Sequence, residues 1–214
     1  MTRTLFYPCC GSADLARAVD GFGHLVDSVH GADPYARLRR QFEHAWEIQH
    51  RSSRPYHYEI ELEPNGPEGI RNWRARMHPM PPSVRLEYLL RSKSDGRTLE
   101  FVWHRYDAIE ALRQVPPLTV FFARWDSPTD GEGGSGILWF GDRLLPRVLA
   151  KLVPGGLLVT DGYGTPEDGP QSFLRRDAIE AVPSEGRYSA FGRVFECVGV
   201  FDDARAKTLV WRVD

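Results

Sequence analysis

Acidic residues recur where the apolar runs of this 214-residue chain end, and those are the positions at which its chemistry can be sought. Asp33 follows a run around Leu25, Val26 and Val29, Asp107 follows Phe101 to Trp103, and Asp161 closes Leu157-Leu158-Val159-Thr160. After Leu118 to Ala123 comes the loop RWDSPTDGEGGSG (124–136), which carries Asp126, Asp130, Glu132 and Ser135 among four glycines. A carboxylate can accept hydrogen bonds from a ligand's hydroxyl or ammonium group, hold a metal ion, or take a proton from a reacting atom. Glycines let a ligand approach the backbone closely. Asp126 and Glu132 are therefore the candidate catalytic acids; the alternative is a connecting loop with Ser135 capping the next helix.

Several familiar chemistries are excluded by spacing. Ser135 lacks the G-x-S-x-G elbow, because Ile137 stands at its last position, and no histidine follows His104 to complete a hydrolase triad. No G-x-x-x-x-G-K-[ST] loop occurs, and H-E-x-x-H is absent. His44, Glu47 and His50 fall on a predicted helix at spacings of three and six, which swings the last off the first one's face, so no metal site is assigned. Cys9 and Cys10 are adjacent and Cys197 is remote, giving neither a disulfide framework nor a C-x-x-C pair. Arg71-Asn72-Trp73-Arg74-Ala75-Arg76 could stack a base, but the net charge of −2 supplies no general attraction to nucleic acid or to anionic membrane.

The elements that must position these residues follow from periodicity. Thr4 to Tyr7 reads as a strand, Ala13 to Val19 as a helix, and His24 to His30 as a second strand. Asp33-Pro34 opens a predicted helix to about His50, with Asp as N-cap and Pro at the first helical position. HYEIELE and VRLEYLL alternate apolar and polar residues, and Thr98 to His104 returns as a strand. Residues 51–97 thus form an inserted antiparallel β segment or an extension of the main sheet. Asp107 to Gln114 is a short helix and Leu118 to Ala123 a buried strand. Leu144, Leu145, Val148, Leu149 and Leu152 mark an amphipathic helix that Pro154-Gly155-Gly156 ends, before the strand to Thr160. A helix over 171–182 and a hairpin of 193–201 with 207–213 close the chain. The expected fold is a doubly wound α/β domain over 1–214, its mostly parallel seven-stranded sheet ending in an antiparallel hairpin.

This order of elements resembles the class I S-adenosylmethionine-dependent methyltransferases. In that family the first strand ends in an acid and a G-x-G-x-G turn beneath the cofactor. Here the segment is Tyr7-Pro8-Cys9-Cys10-Gly11-Ser12-Ala13: one glycine of three is kept, Tyr7 stands at the acid position, and Asp14 is a substitute acid. Asp33, 22 residues beyond Gly11, stands where the family's acid accepts the ribose hydroxyls, with Asp27 a less well placed rival; a helix N-cap gives the same letter. Asp107-Ala108 stands where an acid meets the adenine amino group, again with an N-cap as the alternative. Asp126-Ser127-Pro128 partly matches the D/N-P-P-aromatic motif of nitrogen methylators. The resemblance implies S-adenosylmethionine as cofactor and methyl transfer to an unidentified small-molecule or other acceptor. The alternative it leaves open is an inactive methyltransferase-like binding or scaffold domain.

Composition sets the remaining expectations. With 26% charged and 42% apolar residues, and no apolar run of the ~20 residues that span a bilayer, the chain reads as a soluble, cytoplasmic protein.

Overall fold

The computed structural model describes residues 2–8, 14–33, 42, 44–57, 82–124, 137–181, 186–201 and 207–214. They divide into two compact units, 2–57 with 82–116, and 117–214, and each is described by itself.

Unit one is built on β1 (Thr4–Pro8), α1 (Asp14–Phe22), β2 (Ser28–Ala32), β3 (Trp46–Pro55), β4 (Val84–Ser92), β5 (Thr98–Arg105) and α2 (Ala108–Gln114). Its sheet runs β3-β4-β5-β2-β1. β1 and β2 pair in parallel with Phe6 opposite His30, and β2 and β5 in parallel with Ala32 opposite His104. β4 is antiparallel to both β5 and β3. All five residues of β1 and of β2 are buried, as expected of strands covered on both faces. On α1, Leu15, Ala18, Val19 and Phe22 are buried at helical spacing, and this face lies against β1. The Trp46 indole N–H donates to the Asp20 carboxylate (3.1 Å), tying the start of β3 to α1.

Unit two contains β6 (Leu118–Ala123), α3 (Leu145–Lys151), β7 (Leu152–Thr160), α4 (Arg176–Ala181), β8 (Arg187–Ala190), β9 (Arg193–Phe201) and β10 (Thr208–Val213). Its strand order is β6-β7-β10-β9-β8. β6 and β7 are parallel; β10 runs antiparallel to β7 and to β9, and β8 antiparallel to β9. The order within the closing hairpin follows from its letters. Leu209, Val210, Trp211 and Val213 are buried and make β10 an interior strand, whereas Val198 and Val200 leave β9 half wetted. Phe173 packs on Tyr188, Phe195 and Trp211 with ring centroids 4.6–5.3 Å apart, closing one end of this sheet.

The expected fold class is overturned. Among the described residues there are ten strands rather than seven, and within the two units five of their pairings are antiparallel and three parallel. Among the described residues the α-helices, of six to nine residues, are too few and short to clothe a doubly wound parallel sheet. The physical reason lies in the segment expected as an insertion. β3 and β4 continue the ladder of β5, so antiparallel pairing is a main part of unit one.

Individual elements also differ. The helix expected from Asp33 to His50 gives way by Trp46, where β3 begins: Trp46 pairs with Ser92 and Ile48 with Leu90, and a ladder outweighs helix propensity. Residues 34–41 and 43 of that expected helix lie outside the described ones, as does the expected strand over 58–62. The second strand starts at Ser28, because Gly23–Leu25 is a 3-10 turn. β7 begins at Leu152 and carries Pro154-Gly155-Gly156 within it, with a register shift against β6 between Leu118 and Val120. Among the described residues no helix is long and apolar enough to cross a membrane.

The turn that ends β7 depends on one glycine. Gly162 has φ +82°, and a Cβ there would meet the Arg176 backbone nitrogen at 2.4 Å; Gly96 has φ +71° with open space around it. Gly162→Ala is expected to cost more than about 3 kcal/mol, against about 1 kcal/mol for Gly96→Ala, where only the backbone is strained. Urea unfolding of the two variants measures the difference; equal losses would remove the steric account.

Candidate functional site

Parallel pairing gathers the acids of unit one. Because β1, β2 and β5 run the same way in near register, the residues after them share the carboxyl edge of the sheet, where open α/β sheets bind ligands. Tyr7 and Pro8 end β1, both buried, and the Tyr7 ring is fully enclosed. Asp33 follows β2 at intermediate exposure, its amide donating to the His104 carbonyl (3.1 Å) as one more rung of the β2–β5 ladder. Asp107 lies two residues beyond β5, with Ala108 buried behind it as the first residue of α2.

Asp107 is an N-cap. Its Oδ1 accepts from the Ile109 amide (3.0 Å) and the Glu110 amide (3.1 Å), satisfying two orphan donors of α2. Asp14 opens α1. Cys9, Cys10, Gly11 and Ser12 lie outside the described residues, as do Asp126 and Glu132. Of the sequence-derived candidates, the structure thus brings together Tyr7, Pro8, Asp33, Asp107 and Ala108.

Periodicity did not point to the most unusual part of this edge. His30 Nδ1 and His104 Nε2 are hydrogen-bonded at 2.9 Å with their rings stacked, and His104 Nδ1 is hydrogen-bonded to the Tyr106 hydroxyl at 2.6 Å. All three side chains are buried. The Tyr106 ring stacks on Tyr56 at 4.4 Å, and the Tyr56 hydroxyl donates to Glu110 Oε1 at 2.8 Å. Glu110 also accepts from Arg113 and Gln114. A sequence signal for the pair exists: His30-Gly31-Ala32-Asp33 and His104-Arg105-Tyr106-Asp107 repeat one His-x-x-Asp pattern at the ends of two parallel strands.

Burial sets the electrostatics of this group. It pushes His30 down to about 3, with the Arg85 charge adding to the effect. It holds His104 well below the ordinary imidazole range, followed by His30 and Arg85 as further causes. Arg85 stands opposite His104 in the β4–β5 ladder. Tyr56 is pushed up to about 12, first by burial and then by Glu110. At neutral pH the pair is thus two uncharged imidazoles sharing a hydrogen beside protonated phenols.

Unit two carries polar side chains at the corresponding ends of its parallel strands. Arg124 after β6 and Asp161 after β7 are both buried, and the Arg124 guanidinium lies 5.3 Å from the Phe201 ring centroid. Cys197 is buried in β9. Among the described residues no group of three or more His, Cys, Asp or Glu is arranged to hold a metal ion. An open recess of about 580 Å³, lined by Thr2, Asp27, Arg51, Leu89, Thr98 and Glu100, lies at the opposite, amino edge of β2 and β5; of the candidate residues it includes only the rival Asp27. Neither the family models nor the curated proteins with which the chain was compared give a match.

The neutral histidines make unit one acid-sensitive. Their folded values lie below the unfolded value of about 6.5, so the unfolded chain binds protons that the folded one refuses. Their contribution is whole above pH 6.5 and is lost as pH falls towards 3. Unfolding free energy is expected to drop between pH 6.5 and 5 by up to about 1.4 kcal/mol per pH unit for each histidine. Chemical denaturation across that window measures it, and a flat profile would show that the imidazoles are not held neutral.

Proposed function

We propose that the carboxyl edge of unit one binds a nucleoside-bearing cofactor, S-adenosylmethionine, and that the protein transfers its methyl group to a small-molecule acceptor. The observation that carries this reading is the convergence of Asp33 and Asp107 beside Tyr7-Pro8 at the ends of three parallel strands. A partly exposed carboxylate such as Asp33 suits the two hydroxyls of a ribose. Asp107 caps α2 through Oδ1 at the position where the methyltransferases' acid meets the adenine amino group. When bound, the cofactor supplies an activated methyl group. The chain's part is to orient it and exclude water, since methyl displacement depends chiefly on alignment.

One observation favours a second reading, binding without transfer. The position that holds an acid in the methyltransferases is here Tyr7, whose side chain is wholly enclosed in unit one and offers nothing to an ammonium group.

Calorimetry with S-adenosylmethionine and with its demethylated product is the test. Micromolar binding of both is expected, weakened at least tenfold by Asp33→Ala, the scale of one lost charge-assisted hydrogen bond. Binding without methyl loss in the presence of candidate acceptors would select the second reading. No heat with either compound at millimolar concentration would end both.

A further inference from the structure

The buried His30–His104–Tyr106 chain can be followed hydrogen by hydrogen. At 2.9 Å, His30 Nδ1 and His104 Nε2 have room for one hydrogen between them. If His30 holds it, His104 carries its own on Nδ1 and donates to Tyr106. If His104 holds it on Nε2, Nδ1 is bare and Tyr106 donates to it. Both arrangements are neutral, and both satisfy the two bonds. One added proton can still be carried with a single hydrogen between the rings. A second cannot, because two N–H groups would then face each other across the contact.

The place of this contact gives it a consequence. His30 projects from β2 and His104 from β5, close to where their ladder ends at the Asp33 amide and His104 carbonyl. We propose that the His30–His104–Tyr106 chain is a proton-controlled latch on the carboxyl edge of unit one: one hydrogen between the imidazoles holds β2 and β5 together at Asp33, and two release them.

The surrounding charges set the sense of the switch. Arg85 on β4 opposes further positive charge, and Glu87 is its ion-pair partner at 3.3 Å. Glu110 on α2, reached from Tyr106 through the stacked Tyr56, accepts from Tyr56, Arg113 and Gln114. Asp107 is engaged with the α2 cap and Asp33 follows β2. β1 contributes Phe6 and Pro8 nearby, neither of them charged. The closed latch thus resists protonation, and acid favours the open edge by up to tenfold per pH unit for each histidine freed. The latch needs no ligand and stands whether or not the edge binds a nucleoside.

Amide hydrogen exchange on the whole chain tests it. After correction for the intrinsic exchange rate, protection of the Asp33 amide is expected to fall at least tenfold between pH 7 and 5, while β7 and β10 amides keep theirs. In parallel, imidazole nitrogen-15 shifts should show both rings neutral at pH 7 and gaining protons together with the loss of protection. His30→Gln keeps a hydrogen-bonding amide that does not titrate, and should shrink the pH step. Should that variant fail to fold, the wild-type nitrogen shifts and exchange still decide. Rings that titrate near 6.5 while Asp33 stays protected would overturn the latch, and so would loss of protection spread equally over both units.

Discussion

Two imidazoles and a phenol sealed inside a sheet are tolerable only because each meets the other's hydrogen-bonding need. A polar group buried without a partner costs several kcal/mol in an apolar surround. His30 and His104 avoid that cost together, and His104 also meets Tyr106. This fixes more than two side chains. A contact of 2.9 Å between residues on neighbouring strands holds the parallel register of β2 and β5, and the register decides which residues share the carboxyl edge. A slip of one position between the strands would put the two rings on opposite faces of the sheet and leave each buried without the other. The arrangement of Asp33 and Asp107 therefore depends on the histidines as much as on the aliphatic core.

The same constraint explains how an apolar sheet can present a polar edge. β1 and β2 are enclosed along their whole length, so the first backbone groups able to meet a ligand are those just beyond them. At β2 that place is taken by Asp33, whose amide still belongs to the ladder while its side chain reaches intermediate exposure. At β5 it is taken by Asp107, which turns the chain into α2. The Asp107 carboxylate caps α2, whereas Asp33 lies at intermediate exposure. Two acids that look alike in the sequence thus have different capacities for a ligand.

Much of this edge was legible because strand ends are written in short range. Leu118 to Ala123, Thr98 to Arg105 and the closing hairpin are continuous or alternating apolar runs bounded by polar letters, and all form strands. The N-cap at Asp107 was legible for the same reason. What misled was competition between local preference and distant pairing. The segment from Trp46 carries no strong strand signal, yet it finds β4 across the sheet. Pro154-Gly155-Gly156 looks like a stop, yet β7 runs through it with a shifted register. β8 is only four residues long, with little to set it apart.

The error in fold class has a single origin. Alternating segments such as VRLEYLL read as strands, but among strand–helix units their letters do not say whether they form an insertion or extend the main sheet. A one-sided apolar pattern needs a neighbour to cover its wet-edge backbone, and the nearest suitable ladder was β5 itself. Once β4 and β3 join it, the sheet of unit one is half antiparallel, whatever the rest of the chain does. The histidines went unremarked for a related reason. Their meaning lies in a diagonal contact across two parallel strands, and a repeated His-x-x-Asp acquires it only when those strands are known to be neighbours.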